Sequence, residues 1–439
     1  YCYLCHDGSR YLFCCDSCPR VVCERCLGLV EVDPTLCDLD VKFKCPGCHK
    51  LDERDAKSKW SPYYAFTRNE HGVPVQVLKE PVFMMGVCER VSKAQVCANS
   101  ILILHLVCAG MEHRGSLPQL LHMTLKEYHT EDSLTYEEVT FDLGMNTKLA
   151  QWIRKAGCLG AKLAAWDFRC KIIFVMVHSE VTCGDLFAGK NEGGEDVATA
   201  IEDFMHYVFA PPLHELVYAS TLFMLTCGYL VAFEESFMAM KQAITRLRPE
   251  YTILFTAPDF ISAVTKMFTV AYSIQVLIQG HTFHEILLNL LNVSLDLRMH
   301  TDVLFIHISG LCPPKAPFGL RACPHVVALS PSIIGYRYSW YHSHRRPWGN
   351  ALPIGCPGCG AIRSWSPSKC NPEGKPAKDQ VITKDLVMAK DRVTAKAWVT
   401  SCLACGQKVF SEPLQGEYEL QGDRVSGWIR YTLWATQAL

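Results

Sequence analysis

The sequence predicts a multidomain chain in which two small cysteine-built modules flank a doubly wound α/β domain. Three observations lead there. The chain has 439 residues, more than one ordinary core fills, so two to four domains are expected. Its 24 cysteines are unevenly spread: ten lie within the first 48 residues and five more between 356 and 405, mostly in C-x-x-C pairs. Between the clusters, short apolar runs rich in β-branched residues alternate with stretches of helical spacing. A composition of 49% hydrophobic and 20% charged residues is globular and excludes a mostly disordered chain. With 43 basic against 44 acidic residues the net charge is −1, so direct nucleic-acid binding is not expected.

Two clusters separated by a cysteine-poor span do not make a dense secreted disulfide scaffold. They point to metal modules in a reducing, intracellular setting. The chain opens on Tyr1-Cys2 with no secretory leader ahead of the clusters, and an internal start is expected. The longest apolar stretch, 219–233, has 15 residues, short of the ~20 that cross a bilayer. It reads as a buried strand entering a turn at Cys227-Gly228, and no membrane association is expected.

Residues 1–50 form the first element. The pairs Cys2/Cys5, Cys15/Cys18, Cys23/Cys26 and Cys45/Cys48 are separated by nine, four and eighteen residues. Eight thiolates suffice for two tetrahedral zincs. The four-residue gap is too short for sequential pairing and forces interleaving. Cys2, Cys5, Cys23 and Cys26 then share one ion, and Cys15, Cys18, Cys45 and Cys48 the other. Cys14 could replace Cys15; His6 and His49 are weaker substitutes. This layout resembles the PHD finger. The stretch Leu12-Phe13-Cys14-Cys15-Asp16-Ser17-Cys18 followed by Val22-Cys23-Glu24-Arg25-Cys26 is most similar to the all-cysteine PHD part of ADD domains, with cysteine rather than histidine at 23. Phe43 stands where that family has an aromatic core residue. The resemblance implies a nuclear, chromatin-associated reader of histone tails. The tail would add a strand beside residues 10–13, and Asp16 would hold a lysine. The simpler alternative is a purely structural zinc module.

Residues 51–95 open on a charged run and read as a linker and edge. Residues 96–312 read as the α/β domain. Apolar runs at 100–107, 135–141, 171–177, 221–226, 252–256 and 302–308 predict strands. Helical spacing at 117–128, 147–154, 197–208, 235–246, 261–279 and 282–291 predicts the helices between them. Unbroken runs such as Ile172-Ile173-Phe174-Val175-Met176-Val177 suit a mostly parallel sheet buried on both faces.

Two of these strands run straight into reactive residues, His178-Ser179-Glu180 and Cys227-Gly228. In a parallel sheet both lie at carboxyl ends, where sites form. An imidazole beside a thiol there makes a base and a nucleophile. Each has a structural alternative, a core histidine or a small buried hydrophobe. The order of histidine strand, helix and cysteine strand resembles the caspase-like fold, including fungal CHAT-type domains. Phe174-Val175-Met176-Val177-His178-Ser179-Glu180 and Leu222-Phe223-Met224-Leu225-Thr226-Cys227-Gly228 carry that resemblance. It implies a cysteine endopeptidase acting on a peptide substrate. His178 would be the general base and Cys227 the nucleophile, with the backbone N–H groups of Ser179 and Cys227 as oxyanion donors. Arg114 would hold an acidic substrate side chain. Ser179 stands where the family has glycine; if that backbone needs positive φ, serine impairs the site. The alternative is therefore a non-catalytic, tail-reading or scaffold protein with a degenerate caspase-like domain. His281 and His284 read as structural. His300-Thr301-Asp302 has the H-x-D spacing of dioxygenase metal pairs, but it opens a strand in a parallel pattern, so no metal is expected there.

Residues 313–352, rich in Pro, Gly and aromatics, read as a connecting segment. Residues 353–412 hold Cys356-Pro357-Gly358-Cys359-Gly360 and Cys402-Leu403-Ala404-Cys405-Gly406, two knuckles whose trailing glycines permit the turn that brings N–H groups to the sulfurs. They predict a β-rich ribbon around a third zinc, with Cys370 a weaker ligand and a Lys-rich insertion at 371–395. Residues 413–439 read as a C-terminal tail.

Overall fold

The structure, a computed structural model, describes residues 2–5, 7–18, 20–55, 61–84, 99–112, 116–311, 331–362, 365–366, 368–370, 398–411, 414, 416–422 and 425–437. His6, Arg114 and the insertion at 371–395 lie outside the described residues. The chain divides into two compact units, residues 1–98 with 272–283, and residues 99–271 with 284–439.

In the first unit, β1 (Leu12–Cys14) and β2 (Val21–Cys23) form an antiparallel pair. A second sheet joins β3 (Val41–Phe43) to β4 (Phe66–Glu70) and β5 (Val73–Gln76), with helix α1 (Pro46–Asp55) between β3 and β4. The finger therefore does not stop at residue 50, and the span read as linker supplies two of its strands. The reason is a packing need. Phe13 and Phe43 cannot enclose each other alone, and Phe66 closes the cluster at 4.9 Å from Phe13 and 5.1 Å from Phe43, fully buried. Phe66 ends the run Tyr63-Tyr64-Ala65-Phe66, which lacks period-two alternation and so gives no strand signal in the sequence.

The second unit is built on a nine-stranded sheet. Its parallel core contains β6 (Ile101–Cys108), β7 (Leu134–Phe141), β8 (Cys170–Met176), β11 (Thr221–Leu225) and β12 (Tyr251–Phe255), in spatial order β7-β6-β8-β11-β12. Every residue of β6, β11 and β12 is buried, as continuous apolar strands require when helices cover both faces. One face packs against α3 (Asn146–Ala164), α4 (Ile201–Val208) and α6 (Glu234–Leu247) through Trp152, Ala156, Phe204, Met205, Met240 and Ile244. The other carries α2 (Leu117–Lys126) and receives Phe268 of α7 (Lys266–Tyr272) against Phe223.

The predicted helix at 147–154 is the first two turns of a longer one. Gly157 and Gly160 weaken the helical pattern beyond it, and Gly160 is glycine for a packing reason: a Cβ there would lie 2.7 Å from the N of Leu213. The stretch 197–208 is helical only from Ile201. Its start is instead β10 (Asp196–Thr199), which pairs with β9 (Leu186–Lys190) in a hairpin that the sequence reading missed. The last helices are α8 (Phe283–Asn292) and α9 (Leu295–His300), and α5 (Tyr229–Ala232) is one turn after β11.

Beyond β12 the sheet turns antiparallel through β13 (Val303–Ser309), β14 (Ser332–His342), β19 (Ser426–Gln437) and β18 (Tyr418–Gly422). The connecting segment expected from sequence thus supplies β14 of the main sheet, and the expected tail supplies β18 and β19. The ribbon, β15 (Lys369–Cys370), β16 (Trp398–Ser401) and β17 (Lys408–Ser411), is inserted between β14 and β18.

Asp302 locks this extension. It is 5% exposed, and its carboxylate accepts from Arg337 at 2.7 and 3.0 Å, Ser339 at 2.6 Å and Arg346 at 2.9 Å. Its H-x-D partner His300 accepts the N–H of Ile261, so the pair is used structurally. Burial opposes ionisation of Asp302, but the two guanidinium groups outweigh it and hold the carboxyl below its ordinary 3.8. A depressed folded value means the stabilisation is intact above the unfolded value and is lost as pH falls through the folded one. Asp302→Ala is expected to cost about 3–5 kcal/mol, because it leaves two arginines without their buried partner. Urea unfolding at pH 7 checks this, and the difference from the parent chain should shrink under acid conditions.

Candidate active site and metal centres

Three groups of four cysteines converge: Cys2, Cys5, Cys23, Cys26; Cys15, Cys18, Cys45, Cys48; and Cys356, Cys359, Cys402, Cys405. Within each, all sulfurs lie within 4.8 Å of one another. Four of the pairs, Cys5–Cys23 at 3.7 Å, Cys18–Cys45 at 3.6 Å, Cys356–Cys405 at 3.6 Å and Cys359–Cys402 at 3.7 Å, are far too long for disulfides. They match the edge of about 3.8 Å of a tetrahedron with Zn–S bonds near 2.3 Å. Backbone N–H groups of Leu4, Cys26, Cys45 and Gly358 point at ligand sulfurs, as thiolates require. The titration pattern agrees. Burial opposes ionisation of Cys2, but N–H groups from Cys5, Cys23 and Leu4 bring it down to about 7. Burial and the neighbouring thiols push Cys26 and Cys48 far up. Four adjacent thiols do not all ionise unaided; a divalent ion is what lets them. Each set can hold one zinc, two in the finger and one in the ribbon. Cys14, Cys37 and His49 are not needed, and the ribbon set is complete without Cys370.

The finger also carries a groove of about 390 Å³ beside β1, lined by Tyr11, Phe13, Asp16, Leu36, Leu39 and Phe43. Asp16 lines it with one oxygen already engaged: Oδ2 accepts the N–H of Phe43 at 2.7 Å, tying the second knuckle to β3.

In the α/β unit, β8 and β11 lie side by side and parallel, with Met176 opposite Leu225. His178 and Cys227 each stand two residues beyond those partners, so the two side chains leave neighbouring carboxyl ends at the same offset. His178 is exposed and Cys227 half-buried. Among the described residues no hydrogen bond joins the imidazole to the thiol; such contacts commonly tighten only when substrate is bound.

The backbone around the pair is fixed by three devices. First, the hairpin pairs Ser179 with Leu186 in the non-hydrogen-bonded register, with Phe187 N–H donating to His178 O at 3.0 Å and Glu180 N–H to Asp185 O at 2.7 Å. The N–H of Ser179 therefore has no backbone acceptor among the described residues, and neither has that of Cys227. Second, the hydroxyl of Ser179 donates to the carbonyl of Cys227 at 3.0 Å, clasping one strand end to the other. Ser179 is not among the residues with positive φ, so the expected conformational penalty for replacing glycine does not arise. Third, Glu180 closes the next turn. The Thr182 hydroxyl and the N–H groups of Thr182 and Cys183 hold its carboxyl down at about 2.

Gly228 sets the position of Cys227 from the other side. Its N–H donates to Ala257 O at 2.7 Å, and a Cβ there would lie 2.1 Å from Thr256 O. The requirement is space, since its φ is −72°. Gly228→Ala is expected to destabilise the unit by about 1–3 kcal/mol through overpacking. Displacing Cys227 should also slow any reaction at its sulfur by about 100-fold. Denaturant unfolding and thiol-labelling rates read the two effects separately.

Sequence reasoning found the histidine and cysteine but not the cavity beside them. It opens at the carboxyl ends of β6 and β8, has a volume of about 220 Å³, and is lined by Cys108, Met111, His178, Phe187, Lys190 and Asp196 among others. Four of its nine lining residues come from the missed hairpin, so the local pattern carried no signal for it. No helix among the described residues is long and apolar enough to cross a membrane.

No family model matches the chain, and no curated protein matches it. Among solved structures the chain is similar to a secreted C11 cysteine protease from Bacteroides thetaiotaomicron, determined in complex with an irreversible peptide inhibitor. The two share 9% identity over 47% of this chain and 66% of that one, with a TM-score of 0.28.

Proposed function

We propose that the chain is a zinc-binding cysteine peptidase of caspase-like type, with Cys227 as nucleophile and His178 as general base. The observation that carries this reading is the placement of both residues two positions past paired residues of adjacent parallel strands, with the N–H groups of Ser179 and Cys227 left without backbone acceptors. His178 takes the thiol proton as the Cys227 sulfur attacks the scissile carbonyl carbon. The two N–H groups receive the developing oxyanion. Collapse breaks the C–N bond, and His178 returns the proton to the leaving amine. Water, deprotonated by His178, then hydrolyses the thioester and restores the thiol. Zinc in this scheme has a folding role in the finger and ribbon and takes no part in the chemistry.

A peptidyl probe with a thiol-reactive group tests the reading. It should label Cys227, and the label should vanish in Cys227→Ala. Labelling that survives this substitution excludes Cys227 as the nucleophile. A second reading, a non-catalytic chromatin protein, is favoured by the groove beside the outer edge of β1 and by the missing His178–Cys227 hydrogen bond. In it, a peptide such as a histone tail would add a strand at that edge with a lysine at Asp16. Saturable binding of unmodified histone-tail peptides to a chain that no probe labels would decide for it.

A further inference from the structure

The peptide unit that follows Cys227 is held at both ends. Its oxygen, the carbonyl of Cys227, accepts the hydroxyl of Ser179 at 3.0 Å. Its nitrogen, the N–H of Gly228, donates to the carbonyl of Ala257 at 2.7 Å. A peptide unit is planar, so fixing its oxygen and its nitrogen fixes the plane. That plane sets where the Cα of Cys227 stands, and with it the sulfur. The first clamp comes from the histidine strand. The second comes from residues just past β12, which pairs with β13 only as far as Phe255 opposite Val303. The ladder therefore does not place Ala257.

Thr301 does. Its side-chain oxygen accepts the N–H of Thr256 at 2.9 Å and the N–H of Ala257 at 3.0 Å, and its own proton goes to the carbonyl of Asp302 at 2.8 Å. A hydroxyl has one donor and two acceptor sites, and all are spent here. The Ala257 N–H has no backbone acceptor among the described residues. Thr301 is 2% exposed and Ala257 6%, so bulk water does not stand in for the hydroxyl. The turn at 256–257 also lies hard against Gly228, where a Cβ would meet the Thr256 carbonyl at 2.1 Å. A shift of that turn is passed directly to Gly228.

Thr301 is itself anchored. Its N–H donates to the carbonyl of Leu297 at 3.0 Å, at the end of α9, and β-branching limits its rotamers. The next residue is Asp302, whose carboxylate is clamped by Arg337, Ser339 and Arg346. The middle residue of His300-Thr301-Asp302 thus joins the antiparallel extension to the end of the cysteine strand.

Resting on the peptidase reading above, we propose that Thr301 is a positioning residue for the reaction at Cys227. It holds Ala257, and through Ala257 the Cys227–Gly228 peptide, in the geometry that attack on the scissile carbonyl needs.

The test uses the full chain and a peptidyl acyloxymethyl ketone. The Cys227 sulfur bonds to the carbon beside the ketone, the carboxylate leaves with the C–O bonding pair, and His178 takes the thiol proton. Mass spectrometry locates and times the thioether. Thr301→Val keeps the shape but removes the acceptor, and should lower the maximal labelling rate by about 10- to 100-fold with the half-saturating probe concentration unchanged. Thr301→Ser restores the hydroxyl and should label within about 3-fold of the parent chain. Hydrogen exchange of the parent chain needs no variant: the amides of Ala257 and Gly228 should open as one unit, with equal protection. This measurement decides alone if Thr301→Val does not fold. Gly228 exchanging freely while Ala257 stays protected would overturn the role. So would a folded Thr301→Val that labels at the parent rate or loses only affinity for the probe, or a Thr301→Ser as slow as Thr301→Val. All of these leave the peptidase reading intact, whereas a parent chain that the probe does not label at Cys227 overturns both.

Discussion

Cys227→Ala and His178→Ala are each expected to reduce peptide turnover by about 10,000-fold, and the double variant should be scarcely worse than either single one. Groups that act as one unit lose their joint contribution when the first is removed, so additivity would itself argue against a dyad. The measurement is single-turnover cleavage of a fluorogenic peptide amide. Unfolding midpoints must be followed in parallel, because neither side chain carries the core. His178 is exposed and Cys227 is half-buried, so both variants should unfold within about 0.5–1 kcal/mol of the parent chain. Ser179→Ala separates positioning from chemistry. It removes the clasp to the Cys227 carbonyl but keeps the N–H, so its loss should be about 10-fold and should fall on kcat.

How much of this site was legible in the sequence follows from which interactions are local. His178 and Cys227 could be found because each ends a short apolar run, and a buried parallel strand leaves that pattern in consecutive residues. The cysteine knuckles were legible for the same reason: a metal set is written in pairs three residues apart. What stayed hidden depends on residues far apart in the chain. β14 pairs with β19, Trp340 opposite Trp428, across the whole ribbon insertion. Neither strand shows clean alternation, because both join a sheet that buries residues such as Tyr338, Trp340, Tyr341, Ile429 and Tyr431 nearly side by side. The β9–β10 hairpin leaves no clear signal, and 197–208 has helical spacing, because two strands of only five and four residues flank the turn Asn191-Glu192-Gly193-Gly194-Glu195. That hairpin supplies Phe187, Lys190 and Asp196, so the cavity and its charge were invisible along with it. Phe66 is the corresponding case in the finger.

Zinc removal is the second large effect. A structural zinc bound by four thiolates contributes about 10–16 kcal/mol to a small domain, as much as or more than the whole stability of an ordinary domain, about 5–15 kcal/mol. Apart from its cysteines the finger buries only a small cluster among the described residues, Tyr3, Leu4, Phe13, Val22, Leu27, Leu36, Phe43, Ala65 and Phe66, so losing both ions should unfold it. A strong chelator should therefore abolish hydrogen-exchange protection in β1 to β5 and leave β6 and β8 protected, since those strands belong to a separate core. Metal analysis of paired substitutions tests the crossed ligand sets directly. With Cys2 and Cys23 on one ion, the double variant Cys2→Ser/Cys23→Ser should lose one equivalent. With Cys2 and Cys15 on different ions, Cys2→Ser/Cys15→Ser should lose two. Sequential pairing of the knuckles demands the reverse. The sulfurs of Cys5 and Cys23 stand 3.7 Å apart, and those of Cys18 and Cys45 3.6 Å apart, and neither contact exists in a sequential arrangement. The paired counts therefore decide whether the geometry seen among the thiols is the geometry imposed by the metal.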